Sequence, residues 1–383
     1  MNRLNQLTEI HQSGKPYIIY KSKKGFNLYT NFSKKIILNN QNIKSFLTKK
    51  NKKKSKDTDL FIGFFGYELL NNLINVKVPK QKNFNFPKGI FYKPEKKIKL
   101  SNKLNYHLKN FKCGDFKINI NRKNYTKIFN KFKKKIKSGE TYQIKICTKY
   151  KTKSKINPLD FFSRLSDTNL APEAFMIKDN NYSIISCSPE TLIIKKGSDI
   201  STKPIAGTVK KTKQFNKIKA LNYFRKNLKE TKEHNMIVDM ERNDLSRICK
   251  VGTVKLSKQK IVEEYKDLFH YVSLIKGKLK KNINNFEIIK AMMPGGSVIG
   301  CPKINTLNLL NNQEKENRNI YTGSFGYIKF NGDMRFNIII RSILNFKNIS
   351  EISVASGVVV DSNANHEFNE NFLKAKALID LFK

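Results

Sequence analysis

Hydrophobic and polar positions along the chain follow two different periods, which separate helical from extended segments. Between residues 124 and 136, apolar side chains recur every three or four positions, and this spacing predicts a helix that ends at Ser138. Residues 139–150 and 181–196 alternate apolar with polar side chains, which predicts strands. In the second segment, the Ser-Pro-Glu sequence at 188–190 is predicted to be the turn of a strand pair.

The segment 293–341 combines a glycine-rich turn, a Gly-Cys-Pro-Lys turn, a helical run and a β-hairpin. Elsewhere helices and strands alternate irregularly, without a regular β-α-β repeat, and residues 77–99 are predicted to be a connector rich in lysine. This arrangement predicts a mixed α+β fold with large antiparallel sheets, in a single domain over residues 1–383. Residues 1–120 form a shorter N-terminal part, and residues 121–383 carry the motifs.

The charge of the chain raises the alternative of a nucleic-acid-binding protein. The formal net charge is +45, but only nine of the 75 basic residues are arginine. Base recognition and bidentate phosphate contacts favour arginine, and the lysines are spread along the whole chain. We therefore expect weak, nonspecific attraction to polyanions and no specific nucleic-acid partner.

The five cysteines lack CxxC spacing, which fits a reducing compartment and argues against a disulfide framework or a zinc site. The first residues contain no apolar signal segment, and no run approaches the roughly 20 apolar residues of a membrane-spanning helix. These features predict a soluble cytoplasmic protein with no membrane partner.

Glycine-containing motifs stand out in the later part of the chain: KPIAGT at 203–208, PGGS at 294–297, GCPK at 300–303 and TGSFGY at 322–327. Glycines allow the backbone to approach a ligand closely, and tight turns expose N–H donors to anionic groups. In this order the motifs resemble those of the chorismate-utilising enzymes, with a similarity that runs from about Ile62 to Ala377. The resemblance implies a single chorismate-binding domain of two large packed, mostly antiparallel sheets flanked by helices.

The resemblance also implies a Mg²⁺ site. Glu233 lies in a helical segment, KEHNMIVDMERNDL, that matches the metal-binding helix of these enzymes, with the triplet at 242–244 leading out of the helix. Glu367 and Glu370 are three residues apart, so both side chains face one side of a helix, and Lys374 continues that face. Mg²⁺ prefers carboxylate oxygens and keeps several waters, so three carboxylates are a sufficient set.

Further residues take roles by resemblance. Arg341, placed on an apolar strand, and Gly357 are expected to hold a carboxylate of chorismate, because a buried arginine needs an anionic partner. The resemblance implies substrate contacts for Tyr327, and it places His270 in a strand beside the reacting ring. In the KPIAGT turn, Ala206 and Gly207 would border the ring, and Thr208 would offer its N–H and hydroxyl to the substrate.

The motifs also bear on the reaction. PGGS and TGSFGY resemble the aminodeoxychorismate synthase branch (component I), whereas anthranilate synthases typically read PAGT and GGAVGY. Gln143 stands where relatives that add water to chorismate carry a lysine, so an amine nucleophile is favoured. Ala206 points the other way, because the first branch typically has a lysine there that adds covalently to the ring.

The implied product is therefore 4-amino-4-deoxychorismate, with anthranilate as the alternative. No Leu-Leu-Glu-Ser element of tryptophan feedback is found in the chain, which argues against the alternative. No glutaminase nucleophile motif is found either, so ammonia would come from a separate glutamine amidotransferase subunit.

Overall fold

The computed structural model of this chain describes residues 3–50, 56–78, 86–108, 112–168, 171–265 and 268–383. Part of the predicted connector, residues 79–85, lies outside the described residues. The helices are Arg3–Gln12 (α1), Ile43–Thr48 (α2), Tyr67–Leu73 (α3), Arg122–Lys137 (α4), Pro158–Thr168 (α5), Lys217–Lys226 (α6), Leu228–Ile248 (α7), Asn285–Met292 (α8), Lys303–Gln313 (α9) and Ala364–Ile379 (α10), with short 3₁₀ turns at Gly296–Val298 and Asp380–Phe382.

The strands range from two to 13 residues, and β2 and β7 are the longest that the structure describes. They are Tyr17–Ser22 (β1), Gly25–Ile37 (β2), Leu60–Phe65 (β3), Gly89–Leu100 (β4), Lys112–Cys113 (β5), Lys117–Ile118 (β6), Gln143–Lys155 (β7), Glu173–Lys178 (β8), Tyr182–Ser188 (β9), Thr191–Lys196 (β10), Asp199–Lys203 (β11), Ile205–Lys210 (β12), Lys255–Glu264 (β13), Leu268–Lys278 (β14), Gly300–Cys301 (β15), Ser324–Lys329 (β16), Met334–Asn337 (β17), Ser342–Phe346 (β18) and Ile349–Val358 (β19).

Asparagine side chains begin several of the helices that matter for the site. Asn227 caps α7, Asn363 caps α10 and Asn121 caps α4, each through a side-chain oxygen that accepts from a backbone N–H of the first turn. Asparagine at this position satisfies donors that have no partner within the helix. The caps therefore fix where α7 and α10 start, and with them the positions of the acidic residues in their first turns.

The strands form one continuous antiparallel ribbon. One arm runs from β13 and β12 through β14, β11, β10, β17, β16 and β3 to β4. The other runs from β8 through β9, β18 and β19 to β7, and β2 and β1 join the two arms. The two expected layers are thus the two arms of one hydrogen-bonded sheet.

The arms pack face to face. The rings of Phe175 on β8 and Phe325 on β16 are stacked, with centroids 3.7 Å apart and planes 5° from parallel. Ile62 on β3 shares the same buried cluster with Ile184 on β9 and Leu344 on β18. Burial of these apolar faces is the main stabilising contribution between the layers. This confirms the α+β fold with large antiparallel sheets.

Local elements predicted by period are present, since α4 covers the predicted helix and β16 and β17 form the predicted hairpin. The connector prediction for residues 77–99 is wrong, because β4 lies there and pairs with both β2 and β3. Its apolar residues are buried while its lysines mostly face outward, and Pro94 sits beside an irregularity in the ladder, where a missing N–H is tolerated.

Two further local predictions are wrong. Strands β9 and β10 do not pair with each other: β9 pairs with β8 and β18, and β10 pairs with β11 and β17. The segment 188–190 therefore carries the chain from one arm to the other. The triplet at 242–244 lies inside α7 and does not lead out of it, because Asp244 is buried there and forms an ion pair with Lys303.

Within the described residues, no helix is long and apolar enough to cross a membrane.

Candidate active site

A cavity of about 720 Å³ opens between the two arms of the sheet and helices α7 and α10. One wall is formed by β12 and α7, and the facing wall by β19 and α10. The lining includes eight of the residues predicted from the sequence: Ala206, Thr208, Glu233, Arg341, Gly357, Glu367, Glu370 and Lys374.

The acidic residues of α10 lie together, as their spacing predicts. Glu367, Glu370 and the exposed His366 each place a ligand atom within 4.8 Å of the others. Glu367 is buried and accepts from the Ser362 hydroxyl at 3.0 Å. Lys374 pairs with Glu370 at 2.6 Å and lowers the pKa of that carboxyl, although burial opposes the shift. Two carboxylates on one helix face can hold a hard cation.

Glu233 stands on the other wall, apart from this cluster. One of its carboxylate oxygens accepts from the Gln143 amide at 2.8 Å and from Lys145 Nζ at 3.0 Å. Burial acts to raise the pKa of Glu233, but the Lys145 ammonium outweighs burial and holds that pKa below its usual value. Gln143 is buried behind Glu233 and does not itself line the cavity.

The cation Arg341 lies in a bend before β18, with a left-handed backbone (φ 51°), and not on a strand as the sequence predicts. A strand would alternate its side chains, whereas the bend turns the guanidinium toward the cavity wall. Among the described residues this guanidinium has no hydrogen-bond or ion-pair partner, and burial lowers its pKa. An unpaired, partly buried guanidinium is suited to bind an anion.

Thr208 and His270 face each other across β12 and β14, with Thr208 Oγ1 2.8 Å from His270 Nδ1. Thr208 lines the cavity, and His270 lies behind it. Burial, together with Arg341 and Lys203, lowers the pKa of His270 to about 3, so the imidazole is neutral at ordinary pH. A neutral imidazole can position or polarise the threonine hydroxyl but carries no charge itself.

The turn predicted for KPIAGT is wrong at Gly207, because Lys203 ends β11 and residues 205–208 belong to strand β12. Gly207 has no left-handed backbone there; a Cβ at this position would meet the Phe224 ring at 2.3 Å and Glu230 at 3.0 Å. Glycine is required because α6 and α7 press against the strand. The same close packing brings Glu233 of α7 to the cavity edge.

Tyr327 is not brought to the cavity. It lies on β16 opposite Ile62 and Arg335, and its ring is 6.3 Å from that of Tyr20. Its side chain faces the region where β1 and β16 approach each other, so the geometry gives no support for a substrate contact.

The lining also contains residues that the sequence analysis did not single out. Lys145 follows Gln143 by two positions on β7, so both side chains are on the same strand face and both reach Glu233. The two-residue spacing from Gln143 is the feature of the sequence that could have indicated Lys145. Glu190 and Tyr321 line the cavity as well. Burial raises the pKa of Glu190 to about 7, and the Ser297 hydroxyl donates to it at 2.7 Å.

Comparison with known proteins gives the family. Residues 8–380 match the chorismate binding enzyme model, and the chain belongs to this family. It is 34% identical to aminodeoxychorismate synthase component 1 of Bacillus subtilis over 267 residues, which are 70% of this chain and 57% of that protein. It is 35% identical to an anthranilate synthase component I-like protein of Synechocystis over 67% of this chain and 53% of that protein.

The chain thus spans a little over half the length of these curated relatives. Among solved structures, anthranilate synthase component I of Streptococcus pneumoniae superposes with a TM-score of 0.78 at 25% identity, covering 95% of this chain and 92% of the other. The similarity over nearly the whole of both chains confirms the single antiparallel α+β architecture.

Proposed function

We propose that this protein is the chorismate-aminating component of an aminodeoxychorismate synthase. It converts chorismate and ammonia to 4-amino-4-deoxychorismate and water, breaking the C4–O bond and forming a C4–N bond. The observation that carries the proposal is one cavity that combines carboxylates on two facing helices with the guanidinium of Arg341, which is unpaired among the described residues. A substrate with two carboxylates matches this arrangement, because one carboxylate can pair with Arg341 and the other with a cation held by the acidic residues.

Arg341 and Gly357 would bind one carboxylate of chorismate. Glu233, Glu367 and Glu370 would hold Mg²⁺ against the other, and their all-oxygen chemistry fits that ion. When bound, Mg²⁺ supplies a Lewis acid that assists departure of the C4 hydroxyl. Lys374, held between Glu370 and the Ala355 carbonyl, keeps the acidic face of α10 oriented.

Ammonia, supplied by a separate glutamine amidotransferase subunit, is the nucleophile that this site favours. A water nucleophile needs a general base, and the Gln143 amide cannot serve as one. Gln143 is also fixed by its hydrogen bond to Glu233. Ammonia attacks without such a base, so a non-titrating residue at position 143 supports amination.

Production of anthranilate, as component I of an anthranilate synthase, is the second candidate, and Ala206 favours it. Ala206 lines the cavity and offers no amine to the ring. The two lysines in the described lining, Lys145 and Lys374, are each paired with a carboxylate. We therefore expect amination without a lysine adduct.

The test is product identification after incubation of the purified chain with chorismate, Mg²⁺ and ammonium. Formation of 4-amino-4-deoxychorismate, which yields fluorescent p-aminobenzoate only after a separate lyase is added, would support the proposal. Fluorescent anthranilate with release of pyruvate would establish the second candidate instead. Unchanged chorismate at high ammonium would contradict both.

A further inference from the structure

Lys145 places a positive charge inside the acidic part of the cavity. Its Nζ is 3.0 Å from Glu233, and the charges of Glu370 and Glu367 also act on it. The side chain is largely buried, with 14% of it exposed. The ammonium is therefore influenced by carboxylates of both α7 and α10.

The backbone confines this ammonium on its other side. Gly357 on β19 is opposite Lys145 in the β7–β19 ladder, and a Cβ on Gly357 would come within 2.8 Å of Lys145 Nζ and 2.9 Å of Gln143 Nε2. The ammonium and the amide thus occupy the space above Gly357, both directed at Glu233. Two side chains of β7 thus converge on one partly buried carboxylate.

The arrangement matters for a divalent cation. Mg²⁺ binds oxygens at about 2.1 Å, so carboxylate oxygens that share one ion lie within roughly 4.2 Å of each other. Glu367 and Glu370 place carboxylate oxygens within 4.8 Å of each other, which is close to this scale, whereas Glu233 is outside that group and is engaged by Lys145. A cation that ligates both walls has to replace the ammonium at Glu233.

We propose that Lys145 is a built-in counter-ion of the acidic cavity wall, which a divalent cation displaces when it binds to Glu233 and the α10 carboxylates. This inference rests on the proposed function, since it assumes that these carboxylates hold a metal ion. Lys145 lowers the affinity of the free protein for the metal, because the metal has to compete with a charge-assisted hydrogen bond. It also neutralises Glu233 while no metal is bound. Lys145 thus sets how much metal is needed to fill the site.

Mn²⁺ is the probe, because its binding to the full-length chain is measured directly by electron paramagnetic resonance without any turnover. The variants are Lys145→Gln and Lys145→Met, which remove the charge with and without a polar group. Lys153→Gln is the matched control, since Lys153 is an exposed residue of the same strand. We expect both Lys145 variants to bind Mn²⁺ at least about tenfold more tightly than the wild type, and the control to be unchanged.

Equal Mn²⁺ affinity in the wild type and both Lys145 variants would overturn the inference and leave the proposed function standing. Tighter binding by Lys145→Gln alone would also overturn it, because the glutamine oxygen would then be a new ligand. Failure of all forms to bind Mn²⁺ would overturn the metal site of the proposed function as well.

Thermal unfolding provides a second measurement that does not depend on a fully stable variant. Without the ammonium, Glu233 loses its neutralising partner, so Lys145→Met should melt at a lower temperature than the wild type. Added Mn²⁺ should then raise its melting temperature by more than it raises that of the wild type. An equal shift in both proteins would contradict a competing role for Lys145.

Discussion

The hydroxyl of Thr208 and Nδ1 of His270 are 2.8 Å apart, on directly opposed residues of β12 and β14. The threonine faces the cavity and the histidine lies behind it. Because the pKa of His270 is lowered to about 3, the pair acts as a neutral hydrogen-bonded unit over the ordinary pH range.

This pair gives the first prediction. Thr208→Val should lower kcat by roughly 5- to 30-fold, since it removes one hydrogen bond near the proposed ring position. Thr208→Ser keeps the hydroxyl and should retain most of the activity. The acid limb of the pH–rate profile should not move in His270→Asn, because a histidine already neutral above pH 3 does not set it. Equal losses in Thr208→Val and Thr208→Ser would show that the hydroxyl is unimportant.

Glu370→Gln should abolish Mg²⁺-dependent turnover, because the neutral amide is a poor ligand for a hard cation. The stability of the protein should change little, since the pair with Lys374 is partly exposed, with 37% and 45% of the two side chains accessible. Glu264→Gln, which breaks the exposed pair with Lys211, is the control and should keep full turnover. Near-normal turnover of Glu370→Gln at saturating Mg²⁺ would refute the metal assignment.

Arg341→Lys keeps the charge but loses the planar fork that binds a carboxylate through two hydrogen bonds. We expect weaker chorismate binding by roughly 2–3 kcal/mol, seen as a raised KM. Arg242→Lys on the outer side of α7, where Arg242 pairs with Asp239 near the surface, serves as the control. Unchanged KM and kcat in Arg341→Lys would show that Arg341 has a purely structural role.

The buried carboxyl of Glu190 should make the free energy of unfolding depend on pH. Its pKa is raised by burial from 4.5 to about 7, so the folded state binds its proton more tightly than the unfolded state does. The stabilising contribution is therefore complete below pH 4.5 and is lost as the pH rises to about 7, with a loss on the order of 3 kcal/mol. Glu190→Gln should remove this loss.

Denaturant unfolding of both proteins at pH 4.5, 6 and 8, without chorismate or metal, measures the effect of Glu190. A constant difference in unfolding free energy between the wild type and Glu190→Gln at all three values would contradict the raised pKa.

Gly207→Ala should destabilise the protein by about 1–3 kcal/mol, because the added methyl group overlaps the Phe224 ring between β12 and α6. Gly114→Ala is a matched control, since a Cβ there meets only ordinary contacts at 3.7 Å or more. Its unfolding free energy should change by less than about 0.5 kcal/mol. Similar melting temperatures for both variants would show that α6 shifts to accommodate a methyl group at position 207.

The sequence by itself determined the features that depend on neighbouring residues. The spacing of apolar side chains predicted α4 and the β16–β17 hairpin. The three-residue spacing of Glu367 and Glu370 placed both side chains on one face of α10. These features are local because helix and strand periods alone set which side chains share a face. The order of the glycine motifs likewise indicated the family.

The tertiary structure decided which strands pair and what surrounds each charge. The alternation around Ser188 predicted β9 and β10 correctly as strands but not their partners, which come from distant parts of the chain. Lys145 appears in the sequence as one lysine among sixty-six, and only the approach of α7 and β19 to β7 makes it the partner of Glu233. Such contacts depend on the packing of elements far apart in sequence, which local periodicity does not encode.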